Sequence, residues 1–313
     1  MISQLRLFQS DSPPMIGLFI LPALLGLAFI INATDDDDDT DDVPAAAPEE
    51  PDMVIAGPDQ SELEGTAGPD RMIGNERSNE ILGFGGDDYI EGRGGNDAIN
   101  AGNGNDTVLA GDGNDFVTGG RGDDRVFLGD GNDEYLADDD ISEMAGDDFV
   151  RGGAGRDFIA DFLGSNHLRG DQGSDILIAF DGLDETGNYS NPSQLGTTDT
   201  LSGGFGDDML AGDAGDEMEG FVGNDTFVVT DDEDSDLAAV RIIDFFTDED
   251  ALVILQLDGL TGTGAVSYTV TPDGVSVAYE GRAVALLEGL GAASIPAIQT
   301  SIVTQAGFEA MIS

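Results

Sequence analysis

Apolar residues recur along this chain with a period of nine, a spacing that neither a helix nor a simple alternating strand produces. Met72, Ile81, Ile90, Ile99, Val108, Val117, Val126 and Tyr135 follow one another at that interval without a break. Each sits in a short run of β-forming residues, which reads as a strand. The Gly-rich stretch between two such runs reads as a turn, because Gly supplies positive φ at little cost. One strand and one turn per nine residues reverse the chain, so eighteen residues complete a coil. Stacked coils build two parallel sheets whose eighth-position side chains point inward. The predicted fold class is therefore all-β, a nonapeptide solenoid with interruptions.

A second column runs in the same register. Over sixteen units between about Gly65 and Val228, the sixth position holds Asp fourteen times and Asn twice, at Asn79 and Asn166. The frame slips in three places. The signature residue after Asp133 is Asp148, an insertion spans about 179–197, and the unit ending at Asp216 is one residue short. The slips predict that the stack divides into two or three shorter rolls.

Charge changes the picture. The chain has 313 residues, 64 acidic and 11 basic, for a net charge of −53, and all of the basic residues are Arg. Asp accounts for 47 of the acids and Glu for 17. A field this negative repels nucleic-acid phosphates, so no nucleic-acid partner is expected. With no Cys, disulfides and Cys-based metal sites are excluded, and with no Lys there is no phosphate-loop nucleotide site. Asp in excess alongside 46 Gly points to turns that carry carboxylates, and to a hard cation that neutralises them.

The coil geometry says where that cation would act. Turns on one side are eighteen residues apart, so Asp88, Asp106 and Asp124 fall along one edge and Asp97, Asp115 and Asp133 along the other. Adjacent coils stack at about 4.8 Å, and carboxylates that close repel one another unless something lies between them. Ca2+ prefers six to eight oxygens. Carboxylates and carbonyls of the Gly-rich turns would supply them, coupling binding to folding.

The frame G-G-x-G-x-D-x-U-x, seen in Gly92-Arg93-Gly94-Gly95-Asn96-Asp97-Ala98-Ile99, resembles the RTX, or hemolysin-type, calcium-binding repeat. The resemblance covers about 160 residues and implies a calcium-stacked parallel β-roll closed by a C-terminal β cap, with multiple Ca2+ ions as cofactor. The ligand set it implies comprises Asp70, Asp88, Asp97, Asp106, Asp115, Asp124, Asp133, Asp148, Asp157, Asp175, Asp199, Asp208, Asp216 and Asp225. The turn carbonyls it implies are those of Gly86, Gly95, Gly102, Gly104, Gly111, Gly113, Gly120, Gly122, Gly129 and Gly131. Two departures matter. Asn79 follows Arg77 where Gly is expected, which predicts an empty turn, and Asn166 is a weaker ligand than Asp.

The flanks differ in character. Residues 15–31 are uncharged and reach the lower limit of a membrane-spanning helix. Within a 1–34 segment they read as a signal or an anchor, with membrane anchoring through 15–31 in the second case. Residues 35–60 open with DDDDDTDD and form an acidic Pro/Ala-rich linker. The roll occupies 61–230. In 231–313, strands are predicted at 241–246, 251–257, 266–270 and 275–287, with a turn at Pro272-Asp273-Gly274. This ending resembles that of RTX proteins, which carries a type I secretion signal, and it competes with the N-terminal segment as the export route. Localisation is expected to be extracellular.

No enzyme is expected. His167 is the single histidine, no G-x-S-x-G elbow is present, and the Asp pairs fall in the calcium columns. Asp232-x-Asp234-x-Asp236 lacks the Gly that an EF-hand loop needs. An extracellular calcium-binding protein is the leading reading. The competing one is an adhesin or carbohydrate-binding module with a cell-surface or polysaccharide partner, contacted through Asn188 and Tyr189 or through Phe245 and Phe246. A remnant of a secreted hydrolase is a further alternative.

Overall fold

The computed structural model describes residues 51–137, 146–180, 197–230, 238–256 and 264–312. The 15–31 segment, the Asp run, and Asn188 and Tyr189 of the insertion lie outside the described residues. Among those described, no helix is long and apolar enough to cross a membrane.

Strands alternate between two sheets, one of 13 strands and one of 11. The first takes Tyr89–Gly94, Thr107–Asp112 and Arg125–Asp130, and the second takes Ala98–Asn103, Phe116–Arg121 and Glu134–Leu136. Pairing within the coils is parallel, with Tyr89 opposite Thr107 and Thr107 opposite Arg125. The inward ladders follow the predicted column. Ile90, Val108, Val126, Val150 and Leu168 line one sheet, and Ile99, Val117, Tyr135, Ile159 and Leu177 the other, all buried in one core. Burying each such side chain stabilises the roll by about 1.5–3 kcal/mol.

The expected division into shorter rolls is not observed. Arg125 pairs with Phe149, and Phe149 in turn pairs with His167. Beyond the long insertion, His167 pairs with Thr200 and Ile176 with Met209. Both ladders pass each interruption in register. An excursion from a turn leaves the strands on either side free to pair, because a parallel ladder requires only that the chain re-enter at the same face.

The two sheets continue into the C-terminal region. Ala251–Gln256 extends the second sheet and pairs with Gln299–Thr304. The first sheet ends in an antiparallel meander of Val266–Val270, Gly274–Tyr279 and Arg282–Glu288. The single strand predicted over 275–287 is in fact two, because Glu280 and Gly281 both take positive φ and form a tight turn. Phe246 is not in a strand, and Phe245 is buried against Phe227 with ring centroids 5.8 Å apart. A short helix, Gln305–Met311, starts at Thr304, whose hydroxyl accepts from the Gly307 N–H. It lays Phe308 and Ile312 on a second apolar cluster outside the second sheet, with Ile178, Phe180, Val228 and Val253.

Candidate metal centre

The fourteen predicted Asp residues fall into two columns, one along each edge of the roll. Asp70, Asp88, Asp106, Asp124, Asp148, Asn166, Asp199 and Asp216 form the first. Each backbone N–H donates to the side-chain Oδ1 of the next member, at 2.6–2.9 Å. Asn79, Asp97, Asp115, Asp133, Asp157, Asp175, Asp208 and Asp225 form the second in the same way. The second column does not stop at the repeats. Asp225 donates to Oδ1 of Asp250 at 3.0 Å, and Oδ2 of Asp250 accepts from the Phe246 N–H. Asp250 lies in the segment assigned from sequence to the cap, where no nonapeptide frame marks it.

That ladder uses one oxygen of each carboxylate. The other is buried without a hydrogen-bond partner at Asp88, Asp97, Asp106, Asp115, Asp124, Asp133, Asp157, Asp175 and Asp208, in each case Oδ2. A buried unpaired carboxylate oxygen is costly, and repetition of the same orphan at equivalent positions implies a ligand. Arginines do not meet this need. Arg93 pairs with Glu91, and Arg241 with Glu217 and Glu288, on the outer faces. Among the described residues no three His, Cys, Asp or Glu side chains converge to hold a metal. An ion between coils would therefore draw on few carboxylates and complete its shell with backbone carbonyls, a donor set that suits Ca2+.

The predicted glycines stand in register along the same turns. Gly86, Gly95, Gly102, Gly104, Gly111, Gly113, Gly120, Gly122 and Gly129 all have positive φ. Gly131 is required by close approach instead, since a Cβ there would lie 1.5 Å from the carbonyl oxygen of Gly113. Phe84, Arg93, Asp171 and Phe221 also take positive φ, in the place that Gly102, Gly111, Gly120 and Gly129 occupy in other coils.

Burial raises the carboxyl pKa values, the ladder N–H groups lower them, and neighbouring Asp residues raise them again. Asp88 and Asp157 reach about 7, Asp106 and Asp133 about 6, and Asp124 about 8. Burial therefore makes charge on these carboxylates costly, and a cation beside them would offset that cost.

Not every predicted ligand carries the orphan. Asp216 has both oxygens bonded, Oδ1 to the Asp199 N–H and Oδ2 to the Asp213 N–H of its own shortened unit. Oδ2 of Asp148 accepts from the Tyr135 hydroxyl at 2.9 Å. The unpaired oxygen of Asp70 is Oδ1, with Oδ2 taken by the Thr66 N–H. Asn79 and Asn166 plug their turns. The Asn79 Nδ2 donates to the Gln60 carbonyl and the Asn166 Nδ2 to the Leu163 carbonyl, both at 3.1 Å. His167 is exposed at the head of a strand.

A further column escaped the sequence reading. In most coils the residue before the signature position also bonds from coil to coil, in the opposite direction. Asn105 N–H donates to Asp87 Oδ1, Asp123 N–H to Asn105 Oδ1, and Asp147 N–H to Asp123 Oδ1, at 2.9–3.2 Å. Its signal was present as a run of Asp, Asn and Ser at the fifth position. That run resembles ordinary turn composition, which concealed it.

Residues 64–99, 100–135, 144–177, 161–184 and 196–218 match the family model of the RTX calcium-binding nonapeptide repeat. No curated protein matches the chain. The parallel roll, its paired Asp columns and this match lead to one conclusion: residues 64–218 of the chain carry RTX calcium-binding nonapeptide repeats.

Proposed function

We propose that this is a secreted, extracellular, non-catalytic protein whose roll folds as it takes up several Ca2+ ions between its coils. The observation that carries the proposal is the recurrent unpartnered Oδ2 in both Asp columns. Without a cation, those oxygens and a net charge of −53 oppose folding. With calcium near millimolar, as outside cells, low-affinity sites of this kind fill. Circular dichroism tests the coupling: EDTA should abolish the β signal, and Ca2+ should restore it where Mg2+ does not. An unchanged spectrum in EDTA contradicts it.

A cell-surface or polysaccharide partner is a second reading. The exposed side chains of Phe205, Phe221 and Val222 on adjoining coils favour it, since solvent-facing aromatics on neighbouring strands suit sugar-ring contact. Glycan-array binding that disappears in a Phe205→Ser/Phe221→Ser variant would support it. Array binding that is absent, or unchanged by those substitutions, counts against it.

A further inference from the structure

The Asn166 coil departs from the repeat twice, and both departures bond to the backbone of Leu163. Asn166 places an amide, bonded to Leu163, where other coils leave a free carboxylate oxygen. Five residues earlier, where other coils carry Gly83, Gly92, Gly152 or Gly170, this one carries Asp161. That position looks directly at the unpartnered oxygen. A Cβ on Gly83 or Gly92 would lie 2.5 Å from Oδ2 of the Asp in its own coil.

Asp161 is 1% exposed, and its Oδ2 has no hydrogen-bond partner. Its Oδ1 accepts from the Leu163 N–H at 3.3 Å. Burial, and after it the charge of the neighbouring Asp148, push the Asp161 carboxyl well above the usual carboxylate range. Asp148 is already committed, with Oδ1 bonded to the Asp124 N–H and Oδ2 to the Tyr135 hydroxyl, both at 2.9 Å. Two buried carboxylates facing each other need a shared proton or a cation between them.

We infer that Asp161 replaces the carboxylate that Asn166 lacks, so that this step of the roll holds a Ca2+ ion between Asp148 and Asp161, beside the Tyr135 hydroxyl. Moving the carboxylate five residues upstream keeps the charge in the same turn while the amide of Asn166 preserves the ladder. Tyr135 is the one tyrosine among the sixteen eighth-position residues, and its hydroxyl is anchored in this cluster.

The inference rests on the calcium reading of the turns, and the test separates the two. The full chain lacks Trp and has 5 Tyr, so bound Tb3+, an oxygen-seeking stand-in for Ca2+, is sensitised by tyrosine alone. Calorimetric Ca2+ titration and Tb3+ emission are measured for the wild type, Asp161→Asn and Tyr135→Phe. Asp161→Asn should bind one Ca2+ fewer and lose the part of the Tb3+ emission that Tyr135→Phe removes. An undiminished ion count with undiminished emission in Asp161→Asn overturns the inference and assigns the pair a shared proton. If Asp161→Asn fails to fold, Tyr135→Phe, which keeps the buried ring, decides: emission equal to wild type overturns it. A wild type that binds no Ca2+ overturns the calcium reading instead.

Discussion

The backbone N–H of Asp124 donates to Oδ1 of Asp148 at 2.9 Å across 24 residues, and Asp106 makes the same bond to Asp124 at 2.8 Å across 18. The ladder thus depends on where a residue sits in its coil and is indifferent to how much chain lies between. Residues 138–145, which lengthen that spacing, should therefore be dispensable. Deleting residues 139–144, which returns that spacing to 18, should leave the calcium-loaded β signal intact and shift stability by less than about 1 kcal/mol, the scale of loop-closure effects. Thermal melts followed by circular dichroism check this, and loss of the β signal would show that those residues hold the stack in register.

Replacing a column Asp by Asn should change sign with calcium. Asp106→Asn keeps the Oδ1 that accepts from Asp88 and removes a buried negative charge. In EDTA the variant should retain more β signal than wild type, and in saturating Ca2+ it should be less stable. Asp106→Ala removes the acceptor as well, and should cost about 1–3 kcal/mol more than Asp106→Asn in saturating Ca2+, because the Asp88 N–H is left buried and unpaired. Circular dichroism in EDTA and denaturant titrations in saturating Ca2+, run on the three proteins, separate the two effects.

The pH dependence follows from the raised carboxyl values. Asp88 and Asp157 titrate near 7 and Asp124 near 8 in the folded, ion-free roll, chiefly through burial, against 3.8 for an ordinary Asp. A folded-state pKa above the unfolded value favours the protonated fold. The resulting stabilisation is full below about pH 4 and is lost as the pH rises through 6 to 8. In EDTA the β signal that is lost at pH 8 should return in part at pH 5, and apparent Ca2+ affinity should fall as the pH drops below 7. A β signal in EDTA that is no greater at pH 5 than at pH 8 would mean that the columns are not buried as described.

Turn strain supplies a fourth test. Phe84 has φ 71° where the repeat places Gly, so Phe84→Gly should stabilise the roll by about 1 kcal/mol by relieving left-handed strain. Gly113→Ala should do the reverse, by more than about 2 kcal/mol. A Cβ at that position would lie 1.8 Å from the carbonyl oxygen of Gly95. Equilibrium unfolding in saturating Ca2+ measures both.

The repeats made much of this legible in advance. A column is readable when each coil places the same residue at the same step, as Asp97, Asp115 and Asp133 do, and all fourteen signature Asp residues stand in the two ladders. Continuity through the interruptions was not readable, because spacing along the chain carries no information about where an excursion re-enters. Asp250 was hidden for a related reason. It joins the column from outside the nonapeptide frame, held by the Phe246 N–H. The turn at Glu280 and Gly281 was masked by the apolar residues on both sides, which read as one strand. Asp161 was passed over because it lies off the signature position, and only its burial beside Asp148 distinguishes it from a surface acid.

The most direct test of calcium-stacked columns is the number of ions bound. EDTA-stripped protein is titrated with Ca2+ in a calorimeter near pH 7.5, and far-UV circular dichroism is followed across the same titration. Uptake of several ions per chain, in step with the appearance of β structure, is the expected result. Uptake of none or one, or full β structure before any Ca2+ is added, would contradict it.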